Sequence, residues 1–118
     1  HGTNPSSAHL CGYEVVTIKT GKDGFMHPES VAEVMDENIA CLMVTNPSTL
    51  GVFEKNIKEI ADIVHKKGGL VYCDGANLNA IMGTVRVGIL ALIACILIYT
   101  KRSQRRMGAV ARVPGPLW

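Results

Sequence analysis

The sequence predicts an α/β fold built on a parallel sheet, and two observations carry that prediction. Segments with the composition of strands alternate with segments of helical periodicity, in the order strand, helix, strand, helix, strand, within residues 13–77. Polar, turn-forming residues directly follow the second and third of these strands. With 118 residues, of which 47% are hydrophobic, the chain can form one ordinary domain or a piece of a larger one.

Three short segments have the composition of β-strands. Residues 13–19 are rich in β-branched side chains and end in a cluster of turn formers. Residues 40–44 and 70–73 are continuous apolar runs. The run at 40–44 is typical of a parallel strand that is covered on both faces.

Helical periodicity occupies the two intervals between these strands. Residues 28–37 begin with Pro28, which suits the first turn of a helix, and continue with apolar side chains at helical spacing. Residues 53–64 show the clearer pattern, and Gly68 and Gly69 follow them as a stop signal. Four apolar residues mark the buried face of this second helix: Phe53, Ile57, Ile60 and Val64.

Composition excludes several classes of protein. A net charge of +2 provides no overall field for holding nucleic acid. The four cysteines are widely spaced, which favours a reduced, cytoplasmic location over a disulfide scaffold, and no pattern of metal ligands is present. The chain starts at His1 without a leader-like segment, so we expect an internal piece of a longer protein.

Charge is distributed unevenly along the chain. All ten acidic residues lie between Glu14 and Asp74, and residues 1–74 carry a net charge of −4. Residues 75–118 contain no acidic residue and carry a net charge of +6. A step of this size normally marks a domain boundary, a membrane anchor or a basic tail.

Two polar loops are expected at the carboxyl ends of the predicted parallel strands, where such sheets bind ligands. They comprise residues 45–51 and residues 74–77. Each loop also contains a dipeptide that is common in turns, Asn46-Pro47 in the first and Asp74-Gly75 in the second, so an ordinary turn is the alternative interpretation. A carboxylate such as Asp74 at the end of an apolar strand can hold the proton of a ring nitrogen, as the Asp partner of a pyridoxal ring does.

Three segments, in order and with correct spacing, closely resemble the pyridoxal-phosphate-dependent glycine decarboxylase family, the P-protein of the glycine cleavage system. Within it, subunit 2 of the two-subunit bacterial form is most similar. The resemblance covers residues 1–83, which we interpret as part of the catalytic domain, and stops there. The segments are residues 1–9 (HGTNPSSAH), 45–54 (TNPSTLGVFE) and 68–80 (GGLVYCDGANLNA).

The resemblance implies a piece of the large domain of a fold-type I pyridoxal-phosphate enzyme. Such an enzyme decarboxylates glycine and passes the aminomethyl group to the lipoyl carrier protein (H-protein), in the two-subunit form together with the other decarboxylase subunit. Asp74 matches the residue that binds the pyridinium nitrogen, and Ala76 matches the small residue against one ring face. Asn46 resembles the loop residue near the phenolic oxygen. His1 and Thr3 belong to a motif that lines the pocket, although a solvent-facing loop is an equal alternative for each.

Residues 84–118 do not match the family, and three interpretations compete for them. The apolar run at 87–100 is followed by basic residues like a membrane anchor, but it is shorter than the roughly 20 residues that span a bilayer. A divergent core helix is the second alternative, although glycines and β-branched residues disfavour it. The third is a single-base slip between about residues 84 and 88, which we favour.

Codon arithmetic supports the slip. Read one base earlier, plausible codons for residues 99–103 yield His-Lys-Thr-Phe, and those for residues 107–112 yield a glycine run followed by proline. These are the family's missing motifs, in order. Lys101, 27 residues after Asp74, is then a candidate by position for the lysine that binds the cofactor covalently. The alternative for the literal polypeptide is a solvated basic run.

Other functions stay open at this point. The chain could be a truncated, nonfunctional or membrane-anchored product, or belong to another fold-type I enzyme such as a cysteine desulfurase or a group II amino-acid decarboxylase. The loops at 45–49 and 74–77 favour the glycine enzyme. We expect the 118 residues alone to be inactive, because they lack most of the fold.

Overall fold

The computed structural model describes residues 2–90 and 94–97. The predictions made for His1 and Lys101, and most of the basic tail, fall on residues outside these ranges. In chain order the elements are α1 (Thr3–Leu10), α2 (Pro28–Val34), β1 (Cys41–Thr45), α3 (Ile57–Lys66), β2 (Leu70–Gly75) and β3 (Ala94–Leu97). Short 3₁₀ turns occupy Leu78–Ile81 and Val87–Leu90.

The sheet confirms the prediction of an α/β fold with parallel strands. The three strands are hydrogen-bonded in the order β1, β2, β3, and both pairs are parallel. The crossover from β1 to β2 contains α3, as the alternation of apolar and helical segments predicts. Parallel strands place their carboxyl ends at one edge, so the loops that follow β1 and β2 are neighbours.

The core lies between one face of the sheet and the helices α2 and α3. Alternate residues of the strands point into it, including Leu42, Val44 and Val71, and α3 contributes its apolar stripe. Of the four stripe residues predicted for α3, Phe53 precedes the helix and the other three are buried. The buried cluster comprises Val31, Met35, Leu42, Val44, Ile57, Ile60, Ala61, Val64 and Val71.

The opposite face of the sheet is more open than the sequence predicts. Cys41 is exposed, Met43 and Tyr72 are half-buried, and Leu70 is 50% exposed. The prediction that the strand at 40–44, now β1, is covered on both faces is therefore wrong for the described residues. The apolar run was long enough to resemble a doubly covered strand, but the described elements supply a helical layer on one side only.

Both core helices are shorter than predicted because side chains hydrogen-bond the backbone beyond their ends. The Asp36 carboxylate accepts the Asn38 N–H at 2.7 Å, which favours a turn after Val34 over another turn of α2. The Glu54 carboxylate accepts the Asn56 N–H at 3.1 Å, just before α3 begins. Gly68, with φ of 83°, ends α3 as predicted.

The predicted strand at residues 13–19 is not formed. No strand of the described chain pairs with it, and Tyr13, Val15 and Val16 remain exposed. A β-branched composition sets a preference, but a strand also requires a hydrogen-bonded neighbour.

Helix α1 was not predicted. Two of its serines hydrogen-bond carbonyls four residues back, Ser6 to Gly2 at 2.7 Å and Ser7 to Thr3 at 2.9 Å. Serine and asparagine are poor helix formers, so the sequence carried no clear helical signal here.

The described part of the non-matching tail is not a continuous helix. A 3₁₀ turn at Val87–Leu90 is followed by β3, which contradicts a core helix through these positions. None of the helices in the described part of the chain is long and apolar enough to cross a membrane.

We expect the isolated 118-residue chain to self-associate. Large apolar side chains lie exposed on the surface, including Leu50 in the loop after β1 at 90% and Leu10 at the end of α1 at 87% exposure, and apolar surface of this kind drives association. Light scattering during size-exclusion chromatography should report masses well above 12.7 kDa. A sharp monomer peak at micromolar concentration would contradict this expectation.

Candidate active site

Two loops meet at the carboxyl edge of the sheet, as the parallel topology requires. Thr45 at the end of β1 lies directly opposite Asp74 near the end of β2. The Asn77 side-chain amide donates a hydrogen bond to the Pro47 carbonyl at 3.0 Å, which ties the loop after β2 to the loop after β1. The loops at 45–51 and 74–77 thus form one connected edge.

The Asp74 carboxylate is half-buried and held by a donor on each oxygen. Its Oδ1 accepts the backbone N–H of Ala76 at 3.0 Å. Its Oδ2 accepts the side-chain amide of Asn4 at 3.1 Å, across 70 residues of chain. The carboxylate follows the alternation of β2 and therefore projects on the side of the sheet away from the buried core. The two hydrogen bonds therefore orient the carboxylate, which remains partly accessible on that side of the sheet.

Asn46 is fixed by the first residues of the crossover. The residue is 2% exposed, and its Oδ1 accepts the backbone N–H of Glu54 at 3.0 Å. Its Nδ2 is buried and has no hydrogen-bond partner in the described part of the chain. Buried donors are nearly always satisfied, so this amide donor requires an acceptor that the described residues do not supply.

Glu54 connects three segments beneath the loop. Its carboxylate accepts two backbone N–H groups, that of Met26 at 2.7 Å and that of Asn56 at 3.1 Å. The Asn56 side chain in turn donates to the Met26 carbonyl at 3.2 Å. Glu54 is 9% exposed, and its own N–H holds Asn46. This network fixes the Asn46 loop relative to the segments that open α2 and α3.

The structure brings together three of the residues singled out from the sequence: Asn46, Asp74 and Ala76 lie on adjacent loops of one edge. Thr3 begins α1, next to the asparagine that contacts Asp74. His1 and Lys101 lie outside the described residues.

Sequence reasoning assigned no role to three residues that organise the edge: Asn4, Glu54 and Asn77. All three lie inside the three segments that resemble the family, and that position was the signal that could have identified them. The contacts that join them to Asp74, Asn46 and Pro47 span 70, 8 and 30 residues, so these contacts could not be read from local spacing.

Titration and cysteine chemistry add little to this edge. Partial desolvation of the sulfur raises the pKa of the Cys41 thiol, at the opposite end of β1, although the residue as a whole is exposed. Cys11, Cys41 and Cys73 form no disulfide within the described residues. Cys73 is buried in β2, whereas Cys41 begins β1 and is exposed.

Comparison with known proteins agrees with this architecture. The aminotransferase class-V family matches residues 5–83. The chain is 58% identical over 88 residues to the probable glycine dehydrogenase (decarboxylating) subunit 2 of Alkaliphilus oremlandii, covering 75% of this chain and 18% of that protein. The proteins of the same name from Treponema denticola and Staphylococcus aureus are 58% and 56% identical, with the same coverage.

The chain therefore spans about 18% of the length of these curated relatives. The class-V family and the glycine dehydrogenases are in general pyridoxal-phosphate-dependent. The matched residues include α1 from residue 5 onward, the loop after β1 and the Asp74 edge. This chain belongs to the aminotransferase class-V family.

Proposed function

We propose that the full-length subunit carrying this segment decarboxylates glycine with pyridoxal phosphate and transfers the aminomethyl group to a lipoyl carrier protein. One observation carries the proposal: an oriented, half-buried carboxylate, Asp74, at the carboxyl edge of a parallel sheet. The names of the relatives favour this reaction over that of other fold-type I enzymes.

The residues at the edge fit the cofactor. The Asp74 carboxylate would accept the ring-nitrogen proton, since each of its oxygens has a lone pair left after accepting one N–H. The unpaired Nδ2 of Asn46 offers a donor for the phenolic oxygen. Ala76 places only a methyl group beside the carboxylate, which leaves space for a ring face. His1 and Thr3 complete the proposed pocket.

When bound, pyridoxal phosphate supplies the electron-withdrawing ring that accepts the electrons released as glycine loses carbon dioxide. Asp74 contributes by keeping the ring-nitrogen proton in place, because its negative charge stabilises the protonated ring. The backbone N–H of Ala76 and the Asn4 amide keep the carboxylate aimed while this happens. Asn46 orients the ring from the neighbouring loop.

Lys101 is part of the proposal as the lysine that attaches the cofactor. Lys101 lies 27 residues after Asp74. The non-matching residues around it are attributed to a single-base slip, which would preserve this offset.

The proposal includes the partners that the reaction requires: glycine, the lipoyl carrier protein and the other decarboxylase subunit, in the bacterial cytoplasm. It is tested with the full-length subunit and those partners by measuring carbon dioxide release from carboxyl-labelled glycine. Release that depends on pyridoxal phosphate and on the carrier protein supports the function. Desulfuration of cysteine, with no release from glycine, would support the cysteine desulfurase alternative instead.

Resequencing the nucleotides that encode residues 80–118 tests the slip. We expect that one base added or removed near residues 84–88 opens a frame that continues through His-Lys-Thr-Phe and a glycine run, because both are latent in the codons. A verified sequence whose shifted frame meets a stop codon before that lysine would rule the slip out.

A further inference from the structure

Asn4 makes the longest-range side-chain contact at the candidate site. Its Nδ2 donates to Asp74 Oδ2 at 3.1 Å, although 70 residues separate the two. No residue of α1 is buried, so Asn4 does not belong to the hydrophobic core. Its contact with Asp74 has to be explained by what it does to that carboxylate.

We infer that Asn4 is a positioning residue that fixes the Asp74 carboxylate for a cationic ring, an inference that rests on the proposed function. The Ala76 N–H holds Oδ1 and the Asn4 amide holds Oδ2, so one donor on each oxygen sets the plane of the carboxylate. With a single donor the group can rotate about its Cβ–Cγ bond, whereas with two it cannot do so without losing a hydrogen bond.

The chemistry of the donor suits this role. A neutral amide orients the carboxylate and leaves its negative charge in place for the pyridinium. A lysine or arginine at position 4 would form an ion pair with Asp74 and compete with the ring for that charge. Each oxygen can accept two hydrogen bonds, so the Asn4 contact and a ring-nitrogen contact are compatible.

A double-mutant cycle in the full-length subunit tests the inference. We expect Asn4→Ala to lower turnover of glycine about five- to tenfold with less change in its KM, a smaller loss than removing the carboxylate, because the Ala76 N–H still holds Oδ1. In the Asp74→Asn background the same change should alter turnover less than twofold, because there is no carboxylate left to orient. Equal losses in both backgrounds would mean that Asn4 acts through α1 and would overturn the inference.

The absorption spectrum of the bound cofactor gives a readout that does not depend on activity. Asn4→Ala should shift the spectrum in the same direction as Asp74→Asn, because both weaken the hold on the ring-nitrogen proton. Asn4→Leu, which removes the amide donor, keeps a side chain of similar size and adds no charge, should shift the spectrum in the same direction as Asn4→Ala. Unchanged spectra in both Asn4 variants would overturn the inference.

Ser7→Ala is the matched control. Ser7 lies on the same helix, and within the described residues its hydroxyl donates to the Thr3 carbonyl of that helix. It should leave turnover within twofold of wild type and the spectrum unchanged. A wild-type subunit that does not bind pyridoxal phosphate would contradict both the proposed function and the role of Asn4. Normal cofactor binding, with no effect of the Asn4 substitutions on turnover or spectrum, would contradict the role of Asn4 alone.

Discussion

Replacing Asp74 with Asn in the full-length subunit is expected to lower glycine decarboxylation by about 10- to 150-fold. The substitution keeps an acceptor for the Ala76 N–H but removes the negative charge, and a hydrogen bond to a charged group is worth about 1.5–3 kcal/mol. Cofactor occupancy should fall far less than turnover, because the remainder of the pocket is intact. Carbon dioxide release and the absorbance of bound pyridoxal phosphate measure the two quantities separately.

Asp62→Asn is the charge-matched control. Asp62 lies on α3 and forms a surface ion pair with Lys58 at 3.0 Å, and both side chains are largely exposed. Exposed pairs of this kind contribute about 0–1 kcal/mol, so turnover should remain near that of wild type. Near-normal turnover of the Asp74 variant would show that this carboxylate does not hold the ring nitrogen.

The parts of the fold that follow from local pattern were predictable. The local sequence shows the apolar runs that form β1 and β2 and the periodic apolar stripe of α3. The parallel arrangement of the strands and the neighbouring loops therefore followed from the sequence alone. Asp74 could be singled out for the same reason, since its place at the end of an apolar strand determines which edge it occupies.

Features that depend on distant partners were not predictable. Residues 13–19 have the composition of a strand, but nothing in that composition reveals whether a neighbouring strand is present. Helix α1 is stabilised by serine hydroxyls bonded to its own carbonyls, a contact that propensity scales count against a helix. The Asn4 contact joins residues 70 positions apart, so it appears only once the chain is folded.

Replacing Glu54 with Ala should destabilise the folded protein by about 2–4 kcal/mol. Two backbone donors, the N–H groups of Met26 and Asn56, would lose their acceptor in a largely buried site, and each unsatisfied donor costs about 1–3 kcal/mol before water reaches it. The Asn46 loop should also loosen, because the N–H that holds Asn46 belongs to a segment that the Glu54 side chain would no longer tie to Met26.

Glu54→Gln separates the role of the two acceptors from that of side-chain size. Both carboxylate oxygens of Glu54 face backbone N–H groups, whereas a glutamine must turn its NH₂ group toward one of them. One hydrogen bond is therefore lost and a donor faces a donor. The glutamine variant should consequently lose about half as much stability as the alanine variant, instead of behaving as a conservative replacement.

Glu33→Ala provides the control for the loss of an acidic side chain, because Glu33 is exposed on α2. It should change the free energy of unfolding by no more than about 0.5 kcal/mol. Denaturant unfolding of the full-length subunit gives the global value, and hydrogen exchange at residues 24–27 and 54–58 gives the local one. The amides of the Glu54→Ala variant could instead exchange as slowly as those of the Glu33→Ala variant. In that case the Glu54 carboxylate would not hold the three segments together, and the loop itself would have to support Asn46.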